Sequence, residues 1–238
     1  MVYKLSFLLF IFFAHHLYSE QYDLAIKYLG ISVVNVKISD SNNKLTVKAK
    51  ATSIASIAAK MDNLYSIEYI DNYLPIMYAK KINQKDYFED RITTYDRINL
   101  KANRTSFLDA GKDCEYNIVK PIRDFFSSLL YLRNAIDDEQ GEIWLDANKL
   151  LWKAKYEVME KETIKCILGK LRTIKVKIDF INVSGGEKER SDMLTNNLVN
   201  EERSLYFWFS DDERRIPVKA KFVMKPFPVT WKLKNYKE

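Results

Sequence analysis

The side chains best suited to chemistry in this chain are two runs of acids, Asp137-Asp138-Glu139 and Asp211-Asp212-Glu213, the second followed directly by Arg214-Arg215. Converging carboxylates can hold a cation or share general acid and general base work. Adjacent residues on a turn point in different directions, however, so both runs read as charged turn tips. A glycosidase-type pair needs acids from distant segments facing one cleft, which spacing alone does not supply. Gly185-Gly186 is followed by Glu187-Lys188-Glu189, without the Gly-Lys-Ser/Thr and strand-to-helix setting of a phosphate loop, so nucleotide binding is not supported.

Imidazole is the next resource to weigh. The two histidines, His15 and His16, lie in an N-terminal stretch with Lys4, an apolar run within Leu5 to Ala14, and the small residue Ser19 with Leu17 two before it. This is the three-part pattern of a secretory signal, and the run falls short of the roughly 20 residues a spanning helix needs. Residues 1–19 are therefore expected to be a cleaved signal, the location periplasmic, and the mature chain free of transmembrane spans. Cleavage removes Lys4 and both histidines, so the formal charge becomes +6 − 1 = +5. Without imidazole neither a Ser-His-Asp nor a Cys-His pairing is available, and the commonest zinc ligand is gone. Cys114 and Cys166 remain. An oxidising compartment would let them pair, although their dissimilar surroundings, a polar loop-like stretch and an apolar strand-like one, favour unpaired thiols.

The elements that must position these groups are mostly strands. Tyr22, Leu24, Ile26 and Tyr28 alternate with polar or small residues, Gly30 breaks the run, and Val34, Val36 and Ile38 resume it. Leu45 to Ala51, two strands around Asp71-Asn72 and Pro75, short strands from Asp86 to Phe107, and a hairpin around the Asp146-Ala-Asn148 turn continue the pattern. Ile174, Val176, Ile178 and Phe180 form the clearest half-buried strand, and three more follow Leu205. Residues 184–202 are polar and read as a long surface loop. The fold class expected is mainly β: a large curved antiparallel sheet or open barrel forming one domain over residues 20–238.

One segment has helical spacing. Over residues 121–136, Ile122, Phe125, Phe126, Leu129, Leu132 and Ile136 share a face, with Asp124, Ser127, Ser128 and Tyr131 opposite, so an amphipathic helix is expected to cover the sheet. Arg133 falls within the apolar face and needs a carboxylate or carbonyl partner, for which Asp71, Asp211 and Asp212 are candidates. Asp124 is placed as a favourable charge at the helix start. The 15 Tyr and 4 Trp suit cross-strand packing, with carbohydrate stacking or a lipid cavity as the alternative. Lys and Arg are scattered through the strands without a phosphate-tracking cluster, so nucleic acid is not expected as a partner.

Four segments together resemble the exported bacterial family known as domain of unknown function 3108: Tyr28-Leu-Gly-Ile31, Tyr69-Ile-Asp71 with Leu74-Pro75, the helix from Arg123 to Arg133, and Trp208 to Val218. The resemblance marks Tyr28, Gly30, Asp71, Pro75, Asp124, Ser127, Tyr131, Arg133, Trp208, Asp211, Asp212 and Pro217 as signature positions of structural character. It implies an envelope β-domain and brings no catalytic residue, cofactor or metal. The chain departs from the family at Lys225-Pro-Phe-Pro228 and in the 184–202 loop. The expected function is a non-enzymatic carrier or binding module for an apolar or amphipathic envelope ligand such as a lipid. A structural or interaction protein of the envelope is the alternative, and a carboxylate-based hydrolase of envelope glycan or lipid stands third.

Overall fold

The alternation of apolar and polar residues translates into fourteen antiparallel strands in one sheet, described from a computed structural model over residues 19–224 and 226–238, without the side chain of Asn196. Residues 1–18, all of the expected signal but its last residue, lie outside the described residues, as does Lys225. The strands are β1 (Ser19–Tyr28), β2 (Ile31–Ser41), β3 (Lys44–Ala51), β4 (Asp62–Ile70), β5 (Leu74–Gln84), β6 (Tyr87–Asp96), β7 (Lys101–Ser106) and β8 (Cys114–Asn117). The second half comprises β9 (Gln140–Ala147), β10 (Leu150–Cys166), β11 (Gly169–Asn182), β12 (Leu205–Ser210), β13 (Pro217–Phe222) and β14 (Val229–Lys237). Their order is β8-β7-β6-β5-β4-β3-β2-β1-β14-β13-β12-β11-β10-β9, so each strand pairs with its sequence neighbour and β1 with β14 joins the two halves.

A sheet this wide curls rather than stays flat. Its edges β8 and β9 are brought together not by a ladder but by side chains and a short bridge. The Asp146 carboxylate accepts the hydroxyls of Tyr95 (2.9 Å) and Tyr116 (2.5 Å), and Arg123 pairs in parallel with Leu145. The result is an open barrel, as the strand pattern led us to expect.

Among the described residues three α-helices complete the fold: α1 (Ser53–Ser56), α2 (Phe125–Ala135) and α3 (Met193–Leu198). The expected amphipathic helix packs on the sheet, but more than its apolar face is covered. It lies inside the curl with both faces buried, including Asp124, Ser127 and Ser128, which the spacing assigned to an outer face. Those small polar groups tolerate burial because each is satisfied locally. Asp124 accepts the N–H of Phe126 (2.8 Å) and Ser127 (3.2 Å) and the Ser127 hydroxyl (2.5 Å), while the Ser128 hydroxyl donates to the Phe125 carbonyl (2.6 Å).

A second correction concerns residues 184–202. Instead of a surface loop throughout, this segment folds inward from Ser191, forms α3, and buries Leu194, Leu198 and Val199. Cys114 and Cys166 are unpaired, half-buried thiols.

Candidate functional site

The end of the barrel where β1 gives way to β2 holds an apolar cavity of about 440 Å³. Its sheet wall comes from Ile26, Val34, Ala51, Phe222, Val229 and Trp231, whose alternation turns them inward. Two short helices make the rest. In α1, Ala55 reaches the cavity, followed by Ala58, Ala59 and Lys60 at the mouth. Thr52 fixes this segment: its side chain accepts the N–H of Ala55 (3.4 Å) and its hydroxyl donates to the Ser32 carbonyl (3.0 Å). From α3, Met193, Leu194, Asn197 and Leu198 close the other side. A space of this size lies in the range of ligand sites, and an apolar lining cannot hold water through the two to four polar partners each molecule needs.

What aims α3 at the cavity is a buried polar cluster behind it. Asp192, fully buried, accepts the N–H of Leu194 (3.0 Å) and Thr195 (2.8 Å), the hydroxyls of Thr195 (2.6 Å) and Tyr65 (2.6 Å), and the ammonium of Lys80 (3.0 Å). Burial on its own would raise the Asp192 pKa; the charge of Lys80 and the hydrogen bonds from Thr195 and Tyr65 outweigh it and bring the carboxyl down to about 2. Burial lowers the pKa of Lys80 despite the pull of Asp192. Lys80 also reaches Asn148 (3.3 Å), Ser191 (3.4 Å) and Thr195 (3.3 Å). A lysine beside a serine could serve nucleophilic chemistry, but the space adjoining this cluster is about 10 Å³, room for a water and no substrate. The cluster is an anchor.

A third depression, of about 590 Å³, lies over β6 and β7. Two of its arginines are held by carboxylates, Arg91 by Glu89 (2.7 Å) and Arg104 by Glu189 (2.9 Å). A third, Arg190, donates to the Asp86 carbonyl (2.8 Å) and lies over the Tyr87 ring at 5.4 Å.

The signature positions fall in two places. Tyr28 lines the apolar cavity with its ring edge-on to Phe227 at 6.5 Å, and Gly30 takes a positive φ (80°) in the turn beyond it. Most of the others gather around the two ends of α2. Asp71 begins a 3-10 turn whose Asn72 carbonyl accepts from Arg123 Nε (3.0 Å) and Nη2 (2.7 Å), and the Arg123 guanidinium stacks on Tyr131 at 3.7 Å. Burial lowers the Arg123 pKa to about 10. The Pro75 carbonyl accepts from Arg97 (2.6 Å). Asp124 caps the helix and Ser127 supports the cap; burial raises the Asp124 pKa against those hydrogen bonds.

Arg133 does not pair with Asp71, Asp211 or Asp212. Its guanidinium forks onto Glu20 (2.8 and 3.1 Å) and donates to the carbonyls of Arg214 (2.5 Å) and Arg215 (3.1 Å). Glu20 also accepts the hydroxyls of Tyr22 and Tyr236. Asp211 instead holds Lys161, Arg172 and Arg215, and Asp212 holds Ser210 and Arg214, so the acidic run is an ion-paired turn. Trp208 packs on the outer face under Lys219 (3.9 Å) with its indole N–H on Glu162, and Pro217 begins β13. Among the described residues no group of three or more His, Cys, Asp or Glu could hold a metal.

Sequence reasoning missed Lys80, Asp192 and the α1 segment. The run Ser53-Ile-Ala-Ser-Ile-Ala-Ala59, small residues punctuated by isoleucines between two strands, was the available signal for a cavity mouth.

The profile of the family described as "Protein of unknown function (DUF3108)" matches residues 21–227. This chain belongs to the DUF3108 family. Among solved structures it is similar to the beta-barrel-like protein of domain of unknown function DUF1849 from Brucella abortus, with a TM-score of 0.55 and 8% identity over 93% of this chain and 97% of that one. At that identity the likeness extends to the DUF3108 chain's fold alone. No curated protein matches it. Among its described residues no helix is long and apolar enough to cross a membrane.

Proposed function

We propose that this DUF3108 protein is an exported, non-enzymatic carrier that holds an apolar or amphipathic envelope ligand, lipid by preference, in the cavity between β1–β3, β13–β14, α1 and α3. The observation that carries the reading is the lining of that cavity: about 440 Å³ bounded by aliphatic, aromatic and methionine side chains, with Lys60 and Asn197 as its polar members. Such a lining favours acyl or other hydrocarbon groups through burial of apolar surface, roughly 25 cal/mol for each Å² removed from water. The ion pairs of Asp137, Asp211 and Asp212 support a carrier over a hydrolase. The N-terminal pattern supports export, and sequencing the N-terminus of the protein recovered from periplasmic extract should find it cleaved near Ser19.

The direct test is displacement of a fluorescent fatty acid from purified protein, with native mass spectrometry of the ligand that co-purifies. Val34→Trp fills the cavity from its sheet wall and should weaken probe binding tenfold or more with a circular dichroism spectrum like that of the wild type. Folded wild-type protein that binds no probe and carries no amphiphile would overturn the carrier.

A further inference from the structure

The mouth of the cavity is ringed by apolar side chains that face solvent. Ile54 and Ile57, on and just after α1, are 72% and 89% exposed, and Leu29, Ile31, Met193, Val223 and Phe227 stand exposed around them. All belong to the segments that frame the opening, because Tyr28 pairs with Ile31 and Val229, and Ala51 pairs with Val34 beside it.

Leu29 is the most telling of these. It adopts a left-handed backbone (φ 52°) ahead of Gly30 (φ 80°), in a two-residue turn where asparagine is the relaxed choice. The equivalent turn at the other end of the same hairpin stack, between β2 and β3, uses Asn42-Asn43 at φ 51° and 58°. A leucine held in that region, 56% exposed, is an uncommon backbone state kept with an apolar side chain in water. The charge pattern is equally one-sided. Among the described residues, segments 27–33, 50–62 and 221–230 carry Lys27, Lys50, Lys60 and Lys221 against Asp62 alone, a balance of 4 − 1 = +3.

We propose that this end of the barrel docks on an anionic bilayer, with Leu29, Ile54, Ile57 and Phe227 entering the interfacial region, the lysines meeting headgroups, and the cavity mouth facing the lipid. Protruding aliphatic side chains among lysines suit a lipid surface. A protein interface of comparable reach favours tyrosine, tryptophan and arginine and is poor in lysine. As a route for ligand entry the docking rests on the carrier reading; as a surface property it does not, and the two are measured separately.

The experiment is flotation of the purified full chain with phosphatidylglycerol-containing vesicles, compared with pure phosphatidylcholine vesicles, at low and high salt. Binding should require the anionic lipid and fall as salt rises. Leu29→Asn should bind vesicles at least fivefold more weakly while melting at the same or a higher temperature, since it relaxes the turn. Ile54→Ser with Ile57→Ser should lose binding while keeping affinity for the fluorescent fatty acid. Vesicle binding without fatty acid binding would leave docking standing and remove the carrier. No binding to anionic vesicles, or binding indifferent to both variants, would overturn the proposal. So would a wild-type dimer on light scattering that these variants convert to monomer, which would give the face to a second copy.

Discussion

Two buried ion pairs set the energetics of single residues here, and they act on different parts of the molecule. Arg133 and Glu20 tie the last turn of α2 to the first strand and to the β12–β13 turn. Removing one member of such a pair strands the other charge, at a cost of about 3–5 kcal/mol, whereas removing both costs far less. Arg133→Met should thus lower the unfolding free energy by about 3 kcal/mol, and adding Glu20→Gln should restore a substantial part of it; equal loss in the double variant would argue against the pair as clamp. Asp192 has a pH signature. Its folded pKa of about 2 lies below its ordinary value of 3.8, so its contribution is complete above the ordinary value and fades as pH falls toward 2. It amounts to about 2 kcal/mol. Asp192→Asn should be less stable at pH 7 and show a flatter acid limb between pH 4 and pH 2 in denaturant titrations. Asp124 carries the opposite sign. Its pKa is raised by burial, so folding is penalised by its charge at neutral pH and the penalty lifts as pH falls. Asparagine caps a helix equally well, so Asp124→Asn should be neutral or stabilising at pH 7.

At the scale of elements, α2 and α3 differ in what holds them. Helix α2 is wedged by apolar packing, with Phe126 against Tyr65 at 4.8 Å and Leu132 fully buried. Helix α3 spans six residues, too short to persist without support, and depends on the Asp192 carboxylate, whose cap an asparagine can replace but whose charge on buried Lys80 it cannot. Hydrogen exchange should therefore show residues 191–199 opening in Asp192→Asn while residues 125–135 keep their protection; simultaneous loss in both would mean that the helices form one cooperative unit. This contrast explains what could be read from the sequence. Strands were legible because alternation such as Ile174, Val176, Ile178 and Phe180 depends only on which neighbours face inward. Helix α2 was legible as a helix but not as a buried one, because serines satisfied by their own helix carry no sign of their burial. Glu20 could not be matched to Arg133 since the two are 113 residues apart and only the closure of the sheet brings them together. The segment around α3 looked polar because its charges at 187–190 outnumber the few apolar residues that turn inward.

For the whole molecule, the strand order sets apart two features, the cavity wall and the seam. The cavity wall is centred on β1 and β14, the middle of the sheet, and the seam between β8 and β9 lies at its extremes. The seam depends on Asp146, a buried carboxylate that accepts Tyr95 and Tyr116 and the N–H of Lys149 (2.9 Å). Hydrogen bonds to a charged acceptor contribute more than neutral ones, and removing both hydroxyls leaves the carboxylate poorly solvated. Tyr95→Phe with Tyr116→Phe should cost about 3 kcal/mol and speed amide exchange in β8 and β9. Affinity for a fatty acid probe should stay within twofold of the wild type, because β1–β3 and β13–β14 keep their own ladders whether or not the edges are laced. A large loss of probe affinity in that variant, with the central strands still protected from exchange, would mean that the barrel transmits strain around its circumference and that the cavity is shaped by closure rather than by its adjoining strands.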